Sequence, residues 1–340
     1  MRVRIRDFIE TTEGLYFAVN TYSHPKDRFF AFLRYVPYEF IDFKIPMNNI
    51  REINGKKYVK IADTSLAYKF LEKKFPKYLF YDEINNVLMH AIPKEDVKQI
   101  LKPKERLNEI INEDQDLNEL EKKCRKLAIT LEEYGVSLKN MGVSGSLLLK
   151  LNNENSDIDF VIYGKENHKK ARESLKQAFE DRKLSPLSED FWKIAYQKRI
   201  KDGTLTYKEF IYYEKRKYNR GLVEGTMFDL LFTREWDEIN EEYGNKKYKN
   251  LGFIEIEGKI LNDDYAFDNP ATYRVECYTN SEIKEIVSFT HTYAGQCFKG
   301  EEFIARGKLE EVIEGNNRYL RLVVGTTREA FNEFIKLKKL

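Results

Sequence analysis

Three aspartates and one Gly-Ser pair have the residue types and spacing to do chemistry. In Ser156-Asp157-Ile158-Asp159-Phe160-Val161-Ile162, two carboxylates alternate with large apolar residues. Alternate side chains of a strand share a face, so Asp157 and Asp159 point one way while Ile158, Phe160 and Ile162 enter a core. Neighbouring carboxylates resist joint ionisation unless something positive lies between them, and their oxygens suit Mg²⁺. Asp229 is embedded in the apolar run Thr226-Met227-Phe228-Asp229-Leu230-Leu231-Phe232, where an uncompensated carboxylate is costly. If the two strands are neighbours, the three acids converge. They could then hold two Mg²⁺ ions, or Mn²⁺, against phosphate oxygens and an attacking hydroxyl. Gly145-Ser146 suits the other half of such a site. Glycine permits a tight turn and close approach of a phosphate, the serine hydroxyl adds a donor, and a helix through Leu147 to Leu151 would aim N–H groups at an anion.

Gly-Ser, ten residues, Asp-x-Asp on an apolar strand and a later strand-borne Asp together resemble the signature of the DNA polymerase β superfamily of nucleotidyltransferases. The short gap resembles its compact microbial members. The whole chain also resembles an uncharacterised archaeal group of predicted nucleotidyltransferases. The resemblance covers roughly 120 residues, the size of one domain. It implies metal-assisted transfer of a nucleoside monophosphate from a nucleoside triphosphate, ATP or another, with release of pyrophosphate. It also implies roles: Asp157 and Asp159 bind both metals, Asp229 binds the catalytic one and helps activate the acceptor hydroxyl, and Gly145-Ser146 holds the triphosphate. One departure stands out. Compact relatives often place an arginine and a further glycine soon after Gly-Ser, where this chain has Leu147, Leu148 and Leu149 and only Lys150 is basic. Lys215, Arg216, Lys217 and Arg220, ahead of the Asp229 strand, are the nearest candidates to complete a phosphate grip. The alternative for that cluster is a solvated charged face.

The elements that must position these residues follow from periodicity. Leu117, Leu120, Cys124, Leu127, Leu131 and Tyr134 form a helical stripe, with Asp116 and Glu119 as a capping box and Gly135 as the stop. Met141 to Ser144, Ile158 to Tyr163 and Thr226 to Phe232 read as strands, with a helix over Lys169 to Arg182 between the last two. Upstream, Tyr16 to Asn20, Phe29 to Val36 and Lys57 to Ile61 are strands, and Ser65 to Phe75 is a helix that stops before Pro76. Lys102 to Asp116 reads as a polar boundary. Downstream of Tyr248 the period becomes two, with short strands separated by turn residues, and Thr327 to Leu337 reads as a closing helix. The expected fold is therefore α+β and multidomain. A strand-rich N-terminal domain (1–112) and a small C-terminal β-barrel or sandwich that resembles an OB-type barrel (246–340) flank a central polymerase β-like domain with a mixed sheet and helices (113–245).

Bulk composition narrows the function class. At 340 residues the chain exceeds what one hydrophobic core serves. A net charge of +2 from 58 basic and 56 acidic residues does not announce a nucleic-acid binder, although local patches can still serve. The wealth of Lys, Glu, Ile and Tyr fits proteins of heat-loving microbes, where ion-pair networks become more favourable. Cys124, Cys277 and Cys297 make neither a disulfide framework nor a zinc motif, and no stretch suits a membrane span, so a cytoplasmic setting is expected.

Two function classes remain. The first is an enzyme whose acceptor is RNA, with a protein hydroxyl or a small metabolite as alternatives. The second is a binding module for RNA or protein on a catalytically weak or inactive nucleotidyltransferase fold. Three clustered carboxylates favour the first, since a dead site has no physical reason to keep mutually repelling charges.

Overall fold

The computed structural model describes residues 1–113, 116–326 and 330–340. The chain forms two compact units. One comprises Met1–Tyr163, Val223–Asp229 and Glu235–Gly244, the other Gly164–Leu222, Leu230–Arg234 and Asn245–Leu340. The mixed α/β character is as expected.

In the first unit, β1 (Phe8–Thr11), β2 (Tyr16–Val19), β3 (Arg28–Pro37), β4 (Ile50–Ile53) and β5 (Lys56–Lys60) precede α1 (Thr64–Lys74). The strands β6 (Leu79–Asp82), β7 (Val87–Pro93) and β8 (Val97–Leu101) follow. Among the described residues they make an eight-stranded sheet ordered β4-β5-β3-β2-β1-β8, with β7 joining β3 to β6. The β4–β5 hairpin turns on Asn54-Gly55, both left-handed at φ 50° and 75°, as a two-residue hairpin loop requires. Asp63 caps α1 by accepting from Leu66 N at 2.7 Å, and Pro76 follows its end. The helix buries Ala67, Phe70 and Leu71 with Ile9, Phe17, Phe29 and Leu33 of the sheet.

The expected polar boundary is instead the helix α2 (Pro103–Asn112), which buries Arg106, Leu107 and Ile110. Pro103 stands in its first turn, where a missing N–H costs nothing. Asp114 and Gln115 lie outside the described residues. The long helix α3 (Glu119–Glu133) buries Leu120, Cys124, Leu127 and Leu131 as its stripe predicts. Its capping box is Asn118 with Glu121 rather than Asp116 with Glu119. That choice also lets Glu121 meet the buried Arg106 guanidinium. Then come β9 (Met141–Val143), the one-turn helix α4 (Gly145–Leu148) and β10 (Ile158–Tyr163).

The next elements are α5 (Lys165–Glu180), α6 (Glu189–Arg199), α7 (Tyr207–Lys217), β11 (Arg220–Val223) and β12 (Thr226–Thr233). A four-stranded sheet is ordered β11-β12-β10-β9, so β12, which carries Asp229, is the neighbour of β10, which carries Asp159 and follows directly on Asp157.

The last strands are β13 (Lys246–Tyr265), β14 (Ala271–Cys277), β15 (Ile283–Ser288), β16 (Glu302–Glu314), β17 (Asn317–Val324) and β18 (Phe334–Leu337). They form one six-stranded sheet, β13-β14-β15-β17-β16-β18, in which β13 also pairs with β16. The β15–β17 pair is parallel. The last four residues of the expected closing helix are strand: Ile335 is fully buried and Phe334–Leu337 pairs with Phe303–Arg306 of β16. Tertiary edge pairing wins over local preference there. Thr327 to Glu329 of that expectation lie outside the described residues.

Candidate active site

The apolar alternation in β10 fixes its pose. Ile158, Phe160 and Ile162 are fully buried, which sends Asp159 to the opposite face, half-buried, and leaves Asp157 exposed at the strand's start. In β12 the same logic buries Phe228 and Leu230 and turns Asp229 half out of the core. The three carboxylates interact. Burial, then the charge of Asp157, push Asp159 up to about 6; Arg6 opposes this, Asp229 adds to it, and Arg34 opposes it again. Among the described residues no group of three or more His, Cys, Asp or Glu side chains stands preassembled for a metal. Mutual repulsion is a sufficient reason for carboxylates to keep apart when no cation screens them. The donor chemistry fits a hard divalent cation, because it consists of carboxylate oxygens only.

Gly145 has φ +63°, and a Cβ on it would lie 2.0 Å from Asp159 Oδ2. The glycine of the Gly-Ser pair is therefore a steric condition for the Asp159 carboxylate to occupy its place. Gly145→Ala forces that carboxylate aside and strains the backbone. The expected outcome is destabilisation of about 1–3 kcal/mol, read by denaturant titration. A variant as stable as the wild type would refute the steric account.

The helix that begins on Gly-Ser is only four residues long, too short for the anion site expected there. The leucines at its end and just beyond it serve packing instead. Leu148, Leu149 and Leu151 share a cluster with Phe8, Tyr35 and Tyr58 of the N-terminal sheet, each contributing roughly 1.5–3 kcal/mol of apolar burial. Lys150 is exposed, left-handed at φ 56°, and 3.3 Å from Glu109. Ser146 is half-buried, and its carbonyl accepts from Leu151 N at 2.9 Å.

The other proposed phosphate ligands belong to the second unit, where most have commitments. Lys217 is 1% exposed, lies 2.5 Å from Glu214 and donates to Thr292 O at 3.0 Å. Arg220 lies 3.4 Å from Glu214. Arg216 pairs with Glu301 at 2.5 Å and stacks over Phe298. Lys215 is exposed on α7.

Sequence reasoning missed the basic residues that do surround Asp157 and Asp159. Arg6 and Arg34 act on Asp159. Lys60, which lies opposite Tyr35 across β5 and β3, is held down first by burial and then by Arg34, and is raised by Asp157 and Asp159. Arg51 acts on both Lys60 and Tyr35. These residues are distant in sequence from the Asp-x-Asp motif, so no local pattern announces them.

The nucleotidyltransferase domain family matches residues 123–219. That segment includes Gly145, Ser146, Asp157 and Asp159 and ends before Asp229. An uncharacterised protein of Methanocaldococcus jannaschii is 78% identical over 340 residues, covering all of both chains. No solved structure matches the chain. No helix among the described residues is long and apolar enough to cross a membrane. The chain thus belongs to one family with that archaeal protein, a family whose central segment is a nucleotidyltransferase domain.

Proposed function

We propose that the protein is a metal-dependent nucleotidyltransferase that transfers a nucleoside monophosphate from a nucleoside triphosphate to an acceptor hydroxyl, releasing pyrophosphate. The observation that carries this reading is the pairing of β12 with β10, which puts Asp229 and Asp159 on neighbouring strands, with the Asp159 carboxylate seated against the Gly145 turn. Three acids from two neighbouring strands share one locality within a nucleotidyltransferase family protein. Asp157, Asp159 and Asp229 would hold Mg²⁺, in one or two ions, or Mn²⁺. When bound, the metal would neutralise the triphosphate and polarise the reacting phosphate. Asp229 accepts the proton of the acceptor hydroxyl as its oxygen bonds to the α-phosphorus. The bond from that phosphorus to the bridging oxygen of the β-phosphate breaks, and pyrophosphate leaves with that electron pair.

RNA is the acceptor this reading favours. The strand order of the C-terminal sheet, its parallel β15–β17 pair and the double pairing of β13 fit an OB-type barrel, a common nucleic-acid platform. A groove of about 520 Å³ on that sheet is lined by Lys246, Arg274, Lys284 and Arg318 beside Tyr319, with Glu314 as its one acid. Cations next to an aromatic ring suit a single strand.

The test is transfer of label from triphosphates radiolabelled at the α-phosphorus, with Mg²⁺ or Mn²⁺, to total RNA, total protein or small metabolites. Label in RNA that vanishes in the Asp157→Asn, Asp159→Asn double variant supports the reading. Label in protein or metabolites moves the acceptor. Metal-independent RNA binding with no transfer would favour a binding module on an inactive fold instead.

A further inference from the structure

The leucine run after Gly-Ser leaves the triphosphate without the local cations that compact nucleotidyltransferases carry. We infer that the N-terminal sheet supplies them: Arg6, Arg34, Arg51 and Lys60 form the pocket for the β- and γ-phosphates. This assignment rests on the nucleotidyltransferase reading and names the substrate-gripping residues of that same site.

The geometry is built at each position. Arg6 adopts φ +77°, a conformation that costs a non-glycine residue roughly 1–3 kcal/mol. The strain is held by specific bonds. Arg6 N donates to Val19 O at 3.2 Å, and Ser144 Oγ donates to Arg6 O at 2.7 Å. Ser144 N in turn donates to Asp159 O at 2.9 Å. One serine, immediately before Gly145, therefore ties the Arg6 backbone to the Asp159 backbone. The Arg6 Nε is buried and has no hydrogen-bond partner among the described residues, an expensive condition for a donor unless a ligand completes it.

Arg34 sits at a β-bulge. Tyr16 faces Tyr35 and Phe17 faces Leu33, so Arg34 is the extra residue on β3. Bulges re-aim side chains and are common beside active sites. The next residue, Tyr35, packs on Leu148, Leu149 and Leu151, which keeps the bulge against the Gly-Ser turn. Lys60 lies opposite Tyr35. On the adjoining β4, Arg51 donates to Ile50 O at 3.0 Å and also to Asn48 O, while its buried Nε has no partner among the described residues. The leucines and the arginines are thus two sides of one arrangement. The apolar run seats the N-terminal sheet, and the sheet brings cations to where the run has none. Arg6 and Arg34 beside Asp159, and Lys60 between Arg34, Arg51 and the Asp157-Asp159 pair, suit a ligand that is itself polyanionic and arrives with a divalent metal.

The probes are inorganic tripolyphosphate and the four nucleoside triphosphates with Mg²⁺ or Mn²⁺, titrated calorimetrically against the full chain. Arg6→Gln, Arg34→Gln, Arg51→Gln and Lys60→Met are each expected to weaken tripolyphosphate binding about tenfold or more, with Mn²⁺ affinity retained. A second measurement does not depend on the variants folding. Phenylglyoxal labelling of the wild-type protein, mapped by mass spectrometry, should show Arg6, Arg34 and Arg51 protected by tripolyphosphate. Binding by the wild type without protection of these arginines, or with undiminished affinity in the variants, overturns this assignment and leaves the transferase reading standing. Failure of the wild type to bind any triphosphate with either metal overturns both.

Discussion

Asp159→Asn is expected to lower nucleotidyl transfer by at least about a hundredfold to a thousandfold and, in metal-free buffer at neutral pH, to raise the melting temperature. Both effects have one cause. In the folded chain the Asp159 carboxylate is drawn out of water and faces Asp157 and Asp229, with only partial relief from Arg6 and Arg34. At neutral pH its ionised form therefore costs the folded state free energy that an asparagine does not. The amide keeps the shape beside Gly145 while losing the charge a divalent cation requires. Activity and stability then move in opposite directions, the pattern of a site kept for function. The measurements are label transfer at saturating triphosphate and thermal unfolding with and without Mg²⁺. Adding Mg²⁺ should raise the wild-type melting temperature and leave that of the variant unchanged. Unaltered transfer in Asp159→Asn would remove the chemical centre from the proposed mechanism, and a lower metal-free melting temperature would show that the carboxylate is structural.

The elements carrying the motif were legible because they are strongly patterned. β10 runs from Ile158 to Tyr163 as its alternation predicts. The α3 stripe is buried residue for residue from Leu120 to Leu131, and Gly135 is left-handed just past the helix end. Two of the elements missed have little apolar content. The α2 helix buries only Pro103, Leu107, Ile110 and the aliphatic reach of Arg106, and α6 buries Trp192 alone. A run of charges around such helices reads as linker, because the pattern rests on too few positions.

The candidate site divides in the same way. Carboxylates in an apolar strand announce themselves, since burying charge needs a reason. Arg6 and Arg34 carry no such mark. Their significance comes from a left-handed backbone at Arg6 and a one-residue register slip at Arg34, and both depend on pairing with residues elsewhere in the sheet. The Leu147-Leu148-Leu149 run read as the loss of a phosphate grip. The packing of Leu148 and Leu149 against Phe8, Tyr35 and Tyr58 gives it a different meaning that only tertiary contact supplies.

The basic cluster ahead of Asp229 leads to the largest expected effect on stability. Glu214 is 2% exposed and accepts ion pairs from Lys217 at 2.5 Å, Arg199 at 3.1 Å and Arg220 at 3.4 Å. Burial alone would raise its carboxyl, yet Lys217, Arg220 and Arg199 together hold it down at about 2. The cations share one anion, so each is less fully compensated, and burial draws Lys217 down to about 8. Glu214→Gln removes the hub and leaves three mutually repelling cations in place. The expected loss is about 3–5 kcal/mol of unfolding free energy, the usual result of breaking a buried pair from one side. Glu214→Leu with Lys217→Met removes a charge of each sign, and should cost less than Glu214→Gln alone. The pH dependence has a definite sign. The folded-state carboxyl is depressed below its ordinary 4.5, so its contribution is fully present above about pH 4.5 and is lost as pH falls through about 2. Denaturant titrations between those limits should show wild-type stability falling more steeply than that of Glu214→Gln, where this carboxyl no longer titrates. Parallel pH curves, or a single variant as stable as the wild type, would mean that Glu214 does not organise the cluster and would return Lys217 and Arg220 to candidacy as phosphate ligands.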